Sequence, residues 1–283
     1  MLAALLHRYK DLVLLIALGL GVVVITRYLL TRGVEWLADN AHLSPKLKGK
    51  ILGFSTSIPE LVATSSTAAM GLLGAGLWNI ASSNIINSVL FVSALIWYRQ
   101  QGRIVQTQFI DEIGFAASAI GLPLLLATQS GMERSPWTAV GLFGVFLVYL
   151  VLDKILNRHV REEYAEEIER VEGTHSVAAA LALIGLGIVG ITLSGYYLGQ
   201  VAANVVNGLG MPQWAVGWIL GFITSLPELT TFFAIFAAAK KRGEKSDASL
   251  QANLDNLAAS NMSNLGLIFP IGITVFLVVL ALS

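Results

Sequence analysis

The chain has 283 residues, of which 55% are hydrophobic and only 13% are charged, and its formal net charge is zero. A soluble domain carries about a quarter charged residues, so this composition excludes an ordinary soluble protein. The chain has no cysteine, which excludes disulfides, thiolate metal sites and cysteine nucleophiles.

Apolar stretches of about 20 residues, the length needed to cross the hydrocarbon core of a bilayer, recur along the whole sequence. We therefore predict an all-α membrane protein with about eight transmembrane helices, embedded in the lipid bilayer. The predicted spans are 12–32, 46–70, 76–98, 107–128, 136–156, 177–205, 212–239 and 252–282.

Positive charge falls mainly on one side when the loops between these spans are assigned alternately to the two sides. Fourteen lysine and arginine residues then lie on one side and three on the other. Such a bias marks the cytoplasmic side. We expect both termini outside and the loop 157–176 in the cytoplasm, with the protein in a plasma or inner membrane.

The segment 157–176 is the only long hydrophilic stretch, and it divides the chain into a first half, 1–156, and a second half, 177–283. It lacks the alternating oxygen ligands and the central glycine of a calcium loop, which favours a linker over a calcium sensor. Five spans precede it and three follow, so the second half must insert in the opposite orientation. Inverted-topology repeats of this kind are typical of secondary transporters.

Two motifs occur once in each half. Residues 53–61 return as 221–229 with seven of nine positions identical, and residues 79–87 return as 256–264 with five of nine identical. The duplication indicates that one structural unit was built twice.

Each copy of the first motif carries a glutamate directly after a proline, Glu60 after Pro59 and Glu228 after Pro227. Proline interrupts the hydrogen bonding of a helix, and irregular backbone at membrane depth is tolerated only inside protein or beside a watery cavity. A carboxylate in a span is costly, and two in the same context indicate a function. The repeat therefore predicts one cation site assembled from both halves.

Polar residues in both motifs recur four positions apart, so each set shares one helical face. Together they would form an all-oxygen site with two formal negative charges, which suits calcium or more than one sodium ion rather than zinc or copper. Ser82, Asn84 and Asn261 are interpreted instead as helix–helix hydrogen-bonding residues. The stripes are Thr56 with Glu60, Thr224 with Glu228, Asn79 with Ser83 and Asn87, and Asn256 with Ser260 and Asn264.

These motifs resemble the cation/calcium exchanger superfamily, in its sodium/calcium exchanger-like branch. That family has two alpha repeats, with Gly-Thr-Ser-x-Pro-Glu on one helix and Gly-Ser-Asn-Ile-x-Asn/Asp on the next. The resemblance covers roughly residues 12–98 and 177–270. The matching segments here are 55–60, 82–87, 223–228 and 259–264.

The resemblance implies sodium/calcium exchange without a cofactor, by alternating access in which the first and sixth helices slide across the core. Glu60 and Glu228 would be the central ligands, shared between calcium and sodium. The further ligands it implies are the hydroxyls of Thr56, Ser57, Thr224, Ser225, Ser83 and Ser260 and the backbone carbonyls of Gly53 and Gly221, with Asn87 and Asn264 beside the central site.

The sequence departs from the family pattern in three respects. Many members carry an aspartate at one of the two positions that are Asn87 and Asn264 here. The usual fold has ten helices, whereas eight spans are predicted in this chain. Other residues replace the motif glycines, namely Ser55, Ile223, Ser82 and Ala259.

Three functions remain open at this point: a sodium-driven calcium antiporter, a proton-coupled antiporter of calcium or another divalent cation, and a channel or non-transporting membrane protein. An enzyme is not expected, because all four histidines fall at span ends or in loops. No nucleic-acid partner is expected, and the sequence does not predict an oligomeric state.

Overall fold

The structure, a computed structural model, describes residues 2–40, 55–102, 104, 109–129, 131–156, 176–242 and 246–283. The first part of the predicted span 46–70 and all but Ser176 of the predicted linker lie outside these residues. No β-strand occurs among the residues described. The α-helices are α1 (Leu2–Ile25), α2 (Arg32–Asn40), α3 (Ile58–Ala69), α4 (Leu73–Trp97), α5 (Ile110–Thr128), α6 (Pro136–Leu156), α7 (Val177–Leu209), α8 (Gln213–Thr224), α9 (Leu226–Arg242), α10 (Ser246–Ser263) and α11 (Phe269–Leu282).

Two π-helical segments connect helices without breaking the run of helix. Thr26–Thr31 joins α1 to α2, and Asn264–Ile268 joins α10 to α11. A π segment inserts an extra residue into a helical turn, and such insertions are frequent at functional sites. The second one begins at a residue of the predicted ion site.

Seven helical stretches in the described part of the chain are long and apolar enough to cross a membrane. They agree with seven of the eight predicted spans, and the predicted span 46–70 is described only from residue 55 onwards. The seven are Tyr9–Leu37, Leu73–Trp97, Ile110–Thr128, Pro136–Ile155, Val177–Leu209, Gln213–Ala237 and Ser249–Leu282.

The outer surfaces of these helices are apolar, as a lipid-facing surface must be. On α6, Trp137 and Val148 are exposed, and on α7, Ile188 and Val189 are exposed. Water would disfavour so many exposed apolar side chains, whereas lipid tails accept them. The protein is therefore an integral membrane protein.

The helices that carry the repeated motifs pack together in the interior. α8 lies along α4, α3 packs against α4, α7 and α11, and α1 packs on α7. Gly217 and Gly221 allow α8 to approach α4 closely, because a Cβ at Gly217 would lie 2.7 Å from the carbonyl oxygen of Ala75. Small residues of this kind let transmembrane helices meet backbone to backbone, which brings the second motif of the first half against the first motif of the second half.

Candidate cation site

Both glutamate motifs interrupt their helices at the same place. The regular helix breaks at Ser57, before α3, and again at Ser225, between α8 and α9. Each break lies two residues before the proline, in agreement with the irregular backbone that the prolines predict. Glu60 and Glu228 consequently lie in the first turn of a helix, where the helix dipole favours a negative charge.

The two glutamates are buried and are bound in the same way. Glu60 is 0% exposed and Glu228 is 1% exposed. Ser83 donates a hydrogen bond of 2.9 Å to Glu60 Oε1, and Ser260 donates one of 3.3 Å to Glu228 Oε1. Each second-motif serine thus binds the glutamate of its own half, as the two-stripe pattern predicts.

Ser83 also connects the two halves of the chain. Its hydroxyl lies 2.9 Å from the Ser225 hydroxyl, and Asn264 Nδ2 approaches it at 3.5 Å. Ser225 stands three residues before Glu228, so the contact joins the serine that binds Glu60 to the motif that carries Glu228. Residues from positions far apart in the sequence therefore meet around one hydroxyl group.

The contacts around the two glutamates are not symmetric. Ser225 has a hydroxyl partner, whereas its counterpart Ser57 is buried and its Oγ has no hydrogen-bond partner. Thr224 Oγ1 lies 3.5 Å from Asn79 Oδ1. The two equivalent serines thus differ in their contacts, since only Ser225 binds a side chain of the other half.

The structure contains several buried oxygen atoms that accept no hydrogen bond. Among the residues described, eight buried side-chain polar atoms lack a partner. Carboxylate and amide oxygens only accept hydrogen bonds, and a buried acceptor without a donor costs free energy. A hard cation would satisfy them, since calcium and sodium prefer oxygen ligands. Five of the eight belong to predicted site residues: Ser57 Oγ, Glu60 Oε2, Asn87 Oδ1, Glu228 Oε2 and Asn264 Oδ1.

The other predicted ligands lie around this group or outside the described residues. Thr224 is buried and Thr56 is half-buried. The Gly221 carbonyl accepts hydrogen bonds from the backbone N–H of Ser225 at 3.1 Å and from Thr224 Oγ1 at 3.4 Å. Gly53 lies outside the described residues.

Thr64 is a site neighbour that the sequence did not predict. It is fully buried, and its hydroxyl accepts a 3.0 Å hydrogen bond from Asn79 Nδ2. Thr64 continues the stripe of Thr56 and Glu60 by one more turn, which was a usable signal. The repeats do not reveal Thr64, because the equivalent residue of the second half is Phe232.

A third buried carboxyl group lies apart from this site. Glu112, at the start of α5, is 2% exposed and accepts a 2.7 Å hydrogen bond from Gln251 Nε2. The same nitrogen donates to Asp255 Oδ1 at 2.9 Å. Its position in the predicted span 107–128 could have indicated a functional role, because acidic residues are rare in such spans. It lies outside both repeated motifs, however.

The charges available to a cation come from few groups. The described residues contain no cluster of three or more histidine, aspartate or glutamate side chains that could hold a metal ion. The candidate donor set consists of two carboxylates and several neutral oxygens. This set fits a calcium or sodium substrate and does not fit metals that require nitrogen or sulfur ligands.

The model of the family described as "Sodium/calcium exchanger protein" matches residues 11–153 and 179–280. The chain belongs to this sodium/calcium exchanger family. The match includes both glutamate motifs and both asparagine motifs, so it confirms the family that the repeated motifs indicate.

Two relatives of this exchanger-family chain are similar over most of its length. "Putative antiporter CaxA" of Alkalimonas amylolytica is 27% identical over 257 residues, covering 85% of this chain and 73% of the relative. An uncharacterized membrane protein of Methanocaldococcus jannaschii is 24% identical over 272 residues, covering 91% of this chain and 82% of the relative. No solved structure matches the exchanger-family chain at a comparable level of significance.

Proposed function

We propose that the protein is a secondary active antiporter that exchanges sodium for calcium at the site around Glu60 and Glu228. The observation that carries this proposal is a pair of buried glutamates, one from each half, whose motifs are joined by the Ser83–Ser225 contact and whose Oε2 atoms have no hydrogen-bond partner. Two carboxylates balance the charge of one calcium ion or of two sodium ions. Membership of an exchanger family and similarity to a protein named as an antiporter support a transporter rather than an enzyme.

In this proposal the two glutamates bind calcium and sodium in turn, so that the ions compete. The neutral oxygens complete the coordination that the carboxylates begin, because calcium takes six to eight oxygen ligands. Asn87 and Asn264 contribute from beside the centre. The remaining proposed ligands are the hydroxyls of Thr56, Ser57, Ser83, Thr224, Ser225 and Ser260 and the carbonyls of Gly53 and Gly221.

Alternating access is proposed to come from α1 and α7, which form the sliding pair. Both helices contact α3, and α7 does so through glycines. A Cβ at Gly195 would lie 2.8 Å from Val62 Cγ1, and one at Gly199 would lie 2.6 Å from the Ser66 carbonyl oxygen. Without side chains at these positions, α7 has a smooth surface on which it can move along the motif helix.

The proposed arrangement in the membrane follows the charge distribution. The halves 1–156 and 177–283 insert in opposite orientations, with the termini outside and the segment 157–176 in the cytoplasm. Inverted repeats place their binding site where they meet, near the middle of the membrane. The contacts between Ser83 of one half and Ser225 and Asn264 of the other are consistent with this placement.

Calcium uptake by proteoliposomes that contain the purified protein tests the proposal. With sodium inside and none outside, calcium should enter, and Glu60→Gln or Glu228→Gln should abolish the uptake. Calcium uptake that is the same with and without the sodium gradient would overturn sodium coupling.

Proton coupling is the second candidate, and one observation favours it. The Oε2 atoms of Glu60 and Glu228 are both unpaired and buried, and two neighbouring carboxylates can share a proton. Vesicles that hold a pH gradient in place of the sodium gradient distinguish the two. Calcium uptake driven by the pH gradient alone selects proton coupling. Calcium uptake at channel rates without any counter-ion gradient contradicts both antiporters.

A further inference from the structure

Four asparagines form a fully buried group, here called the asparagine cluster, where α4 meets α10 and its π segment. All four are 0% exposed. Two of them, Asn87 and Asn264, are proposed to lie beside the ion, whereas the other two do not lie on the repeated stripes. The members are Asn84 and Asn87 from the first half and Asn261 and Asn264 from the second.

Backbone carbonyls fix the direction in which the Asn84 amide points. Its Nδ2 donates to the carbonyl oxygens of Ala119 at 2.8 Å and Asn261 at 3.2 Å. A carbonyl oxygen can only accept, so the nitrogen end of Asn84 must face these two groups. Its Oδ1 then lies at the other end, where it accepts a 3.0 Å hydrogen bond from Asn264 Nδ2.

Asn261 is fixed in the same manner from the other half. Its Nδ2 donates to the carbonyl oxygen of Asn84 at 3.2 Å. Its Oδ1 therefore accepts, and it does so from Asn87 Nδ2 at 3.1 Å. The two halves exchange equivalent hydrogen bonds, so that each orients an amide of the other.

This chain of hydrogen bonds leaves the Oδ1 atoms of Asn87 and Asn264 without a donor. Asn264 is next to the cation site, since its Nδ2 lies 3.5 Å from the Ser83 hydroxyl that binds Glu60. If either amide turned by 180°, its NH₂ group would occupy the place of the oxygen. An NH₂ group cannot coordinate a cation, so the orientation of each amide decides whether it contributes a ligand.

We propose that Asn84 and Asn261 are positioning residues, which hold the Oδ1 atoms of Asn264 and Asn87 towards the transported cation. The inference rests on the proposed function, because it requires a cation at the glutamate site. Residues that orient a metal ligand typically change metal affinity by about 10–100-fold when they are replaced. Asn84 and Asn261 should have effects of this size without touching the ion.

Replacement of Asn264 by aspartate separates positioning from packing. A carboxylate presents an oxygen whichever way it turns, so Asn264→Asp no longer needs the hydrogen bond that Asn264 Nδ2 donates to Asn84 Oδ1. Asn84→Ala should weaken calcium binding by about 10-fold or more in the wild-type background. In the Asn264→Asp background, Asn84 Oδ1 faces a carboxylate oxygen and no hydrogen bond joins them. The same Asn84→Ala change should therefore not lower the calcium affinity below that of the Asn264→Asp single variant.

Isothermal titration calorimetry of the purified full-length protein with calcium measures these affinities without requiring transport. Ser82→Ala is the matched control, because Ser82 lies on the same helix α4 but donates to the Gly217 carbonyl of α8 at 3.2 Å and makes no hydrogen bond to an asparagine side chain of the cluster. It should bind calcium as the wild type does. If Asn84→Ala does not fold, Asn261→Ala is compared in the wild-type and Asn87→Asp backgrounds, with the same expectation.

The outcomes distinguish failure of the proposed function from failure of the positioning role. Wild-type protein that binds no calcium contradicts the proposed function itself. Wild-type binding together with an equal loss of affinity in both backgrounds contradicts the positioning role alone, because it shows that Asn84 acts through packing. A loss confined to the background with Asn264 supports the positioning role.

Discussion

The hydroxyl oxygens of Ser83 and Ser225 lie 2.9 Å apart, although 142 positions separate the two residues in the chain. Ser83 also donates to Glu60, and Ser225 stands three residues before Glu228. This pair of serines therefore brings the polar side chains of both halves to one place in an otherwise apolar interior.

Removal of either carboxylate should abolish the response of the protein to calcium. Calcium at 100 times its dissociation constant stabilises a protein that binds it only in the folded state by about 2.7 kcal/mol. Glu60→Gln and Glu228→Gln should lose this stabilisation. In the absence of calcium they should be at least as stable as the wild type, because a neutral amide replaces an unpaired buried carboxylate oxygen.

Thermal unfolding in detergent, with and without calcium, measures both effects in the same samples. A Glu→Gln variant that calcium stabilises as much as the wild type would show that the ion binds elsewhere. Glu112→Gln is a useful comparison, since Glu112 is equally buried but lies outside the proposed site. It should retain the full response to calcium.

The two equivalent serines should differ in importance. Ser83 contacts Glu60, Ser225 and Asn264, whereas the Ser260 hydroxyl donates to Glu228 at the longer distance of 3.3 Å. A hydrogen bond to a charged group contributes about 1.5–3 kcal/mol. Ser83→Ala should therefore weaken calcium binding by about ten-fold or more, and Ser260→Ala should weaken it less.

Calcium titration of the two serine variants at equal protein concentration provides the comparison. Equal losses, or a larger loss for Ser260→Ala, would show that the contact between the halves adds nothing to ion binding. The wild type and Ser82→Ala serve as references.

A methyl group at Gly221 should force α8 away from α4. Its Cβ would collide with Ser82 Oγ and would lie 2.8 Å from the Asn79 carbonyl oxygen. Overpacking of this kind costs about 1–3 kcal/mol, and here it would also separate Ser225 from Ser83. Gly221→Ala should lower both thermal stability and calcium affinity.

Gly185→Ala is the matched control for this change. Gly185 lies inside α7, and nothing lies within 4 Å of a Cβ placed there. Alanine in a helix is favoured over glycine by about 0.5–1 kcal/mol, so this variant should be as stable as the wild type or slightly more stable. Normal calcium affinity in Gly221→Ala would contradict the close approach of α8 and α4.

The repeated sequence predicted which polar groups meet in the interior, because each copy contains the same functional groups at the same spacing. The hydrogen bonds from Ser83 to Glu60 and from Ser260 to Glu228 follow from two polar stripes that face each other in each half. Burial of the glutamates follows from their position in apolar spans. The role of each group in ion binding stays a prediction.

The asymmetry of the site could not be predicted from the repeats. Ser57 and Ser225 occupy equivalent positions, but only Ser225 contacts a serine of the other half. Which contact forms depends on how neighbouring helices pack, and Thr64 of the first half is replaced by the bulky Phe232 in the second. Long-range pairs outside the repeats, such as Glu112 with Gln251, leave no periodic signal in the sequence.

A reversible cross-link between α3 and α7 should stop exchange if α7 slides across α3. The chain has no cysteine, so introduced cysteines are the only ones present. In the Val62→Cys/Gly195→Cys variant, the new Cβ at position 195 would lie 2.8 Å from the place of Val62 Cγ1, which is close enough for a disulfide after small adjustments. Oxidation should abolish sodium-driven calcium uptake, and reduction should restore the uptake that the same variant shows before oxidation.

The control for this variant joins the two helices that are proposed to move together. A Cβ at Gly190 would lie 3.2 Å from Ile25 Cγ2, so Ile25→Cys/Gly190→Cys links α1 to α7 at a similar distance. This disulfide should leave uptake intact, because the pair can still slide as a unit. Full uptake by the oxidised Val62→Cys/Gly195→Cys protein would contradict sliding of α7 on α3, whereas loss of uptake in both oxidised variants would indicate that α1 and α7 must also move relative to each other.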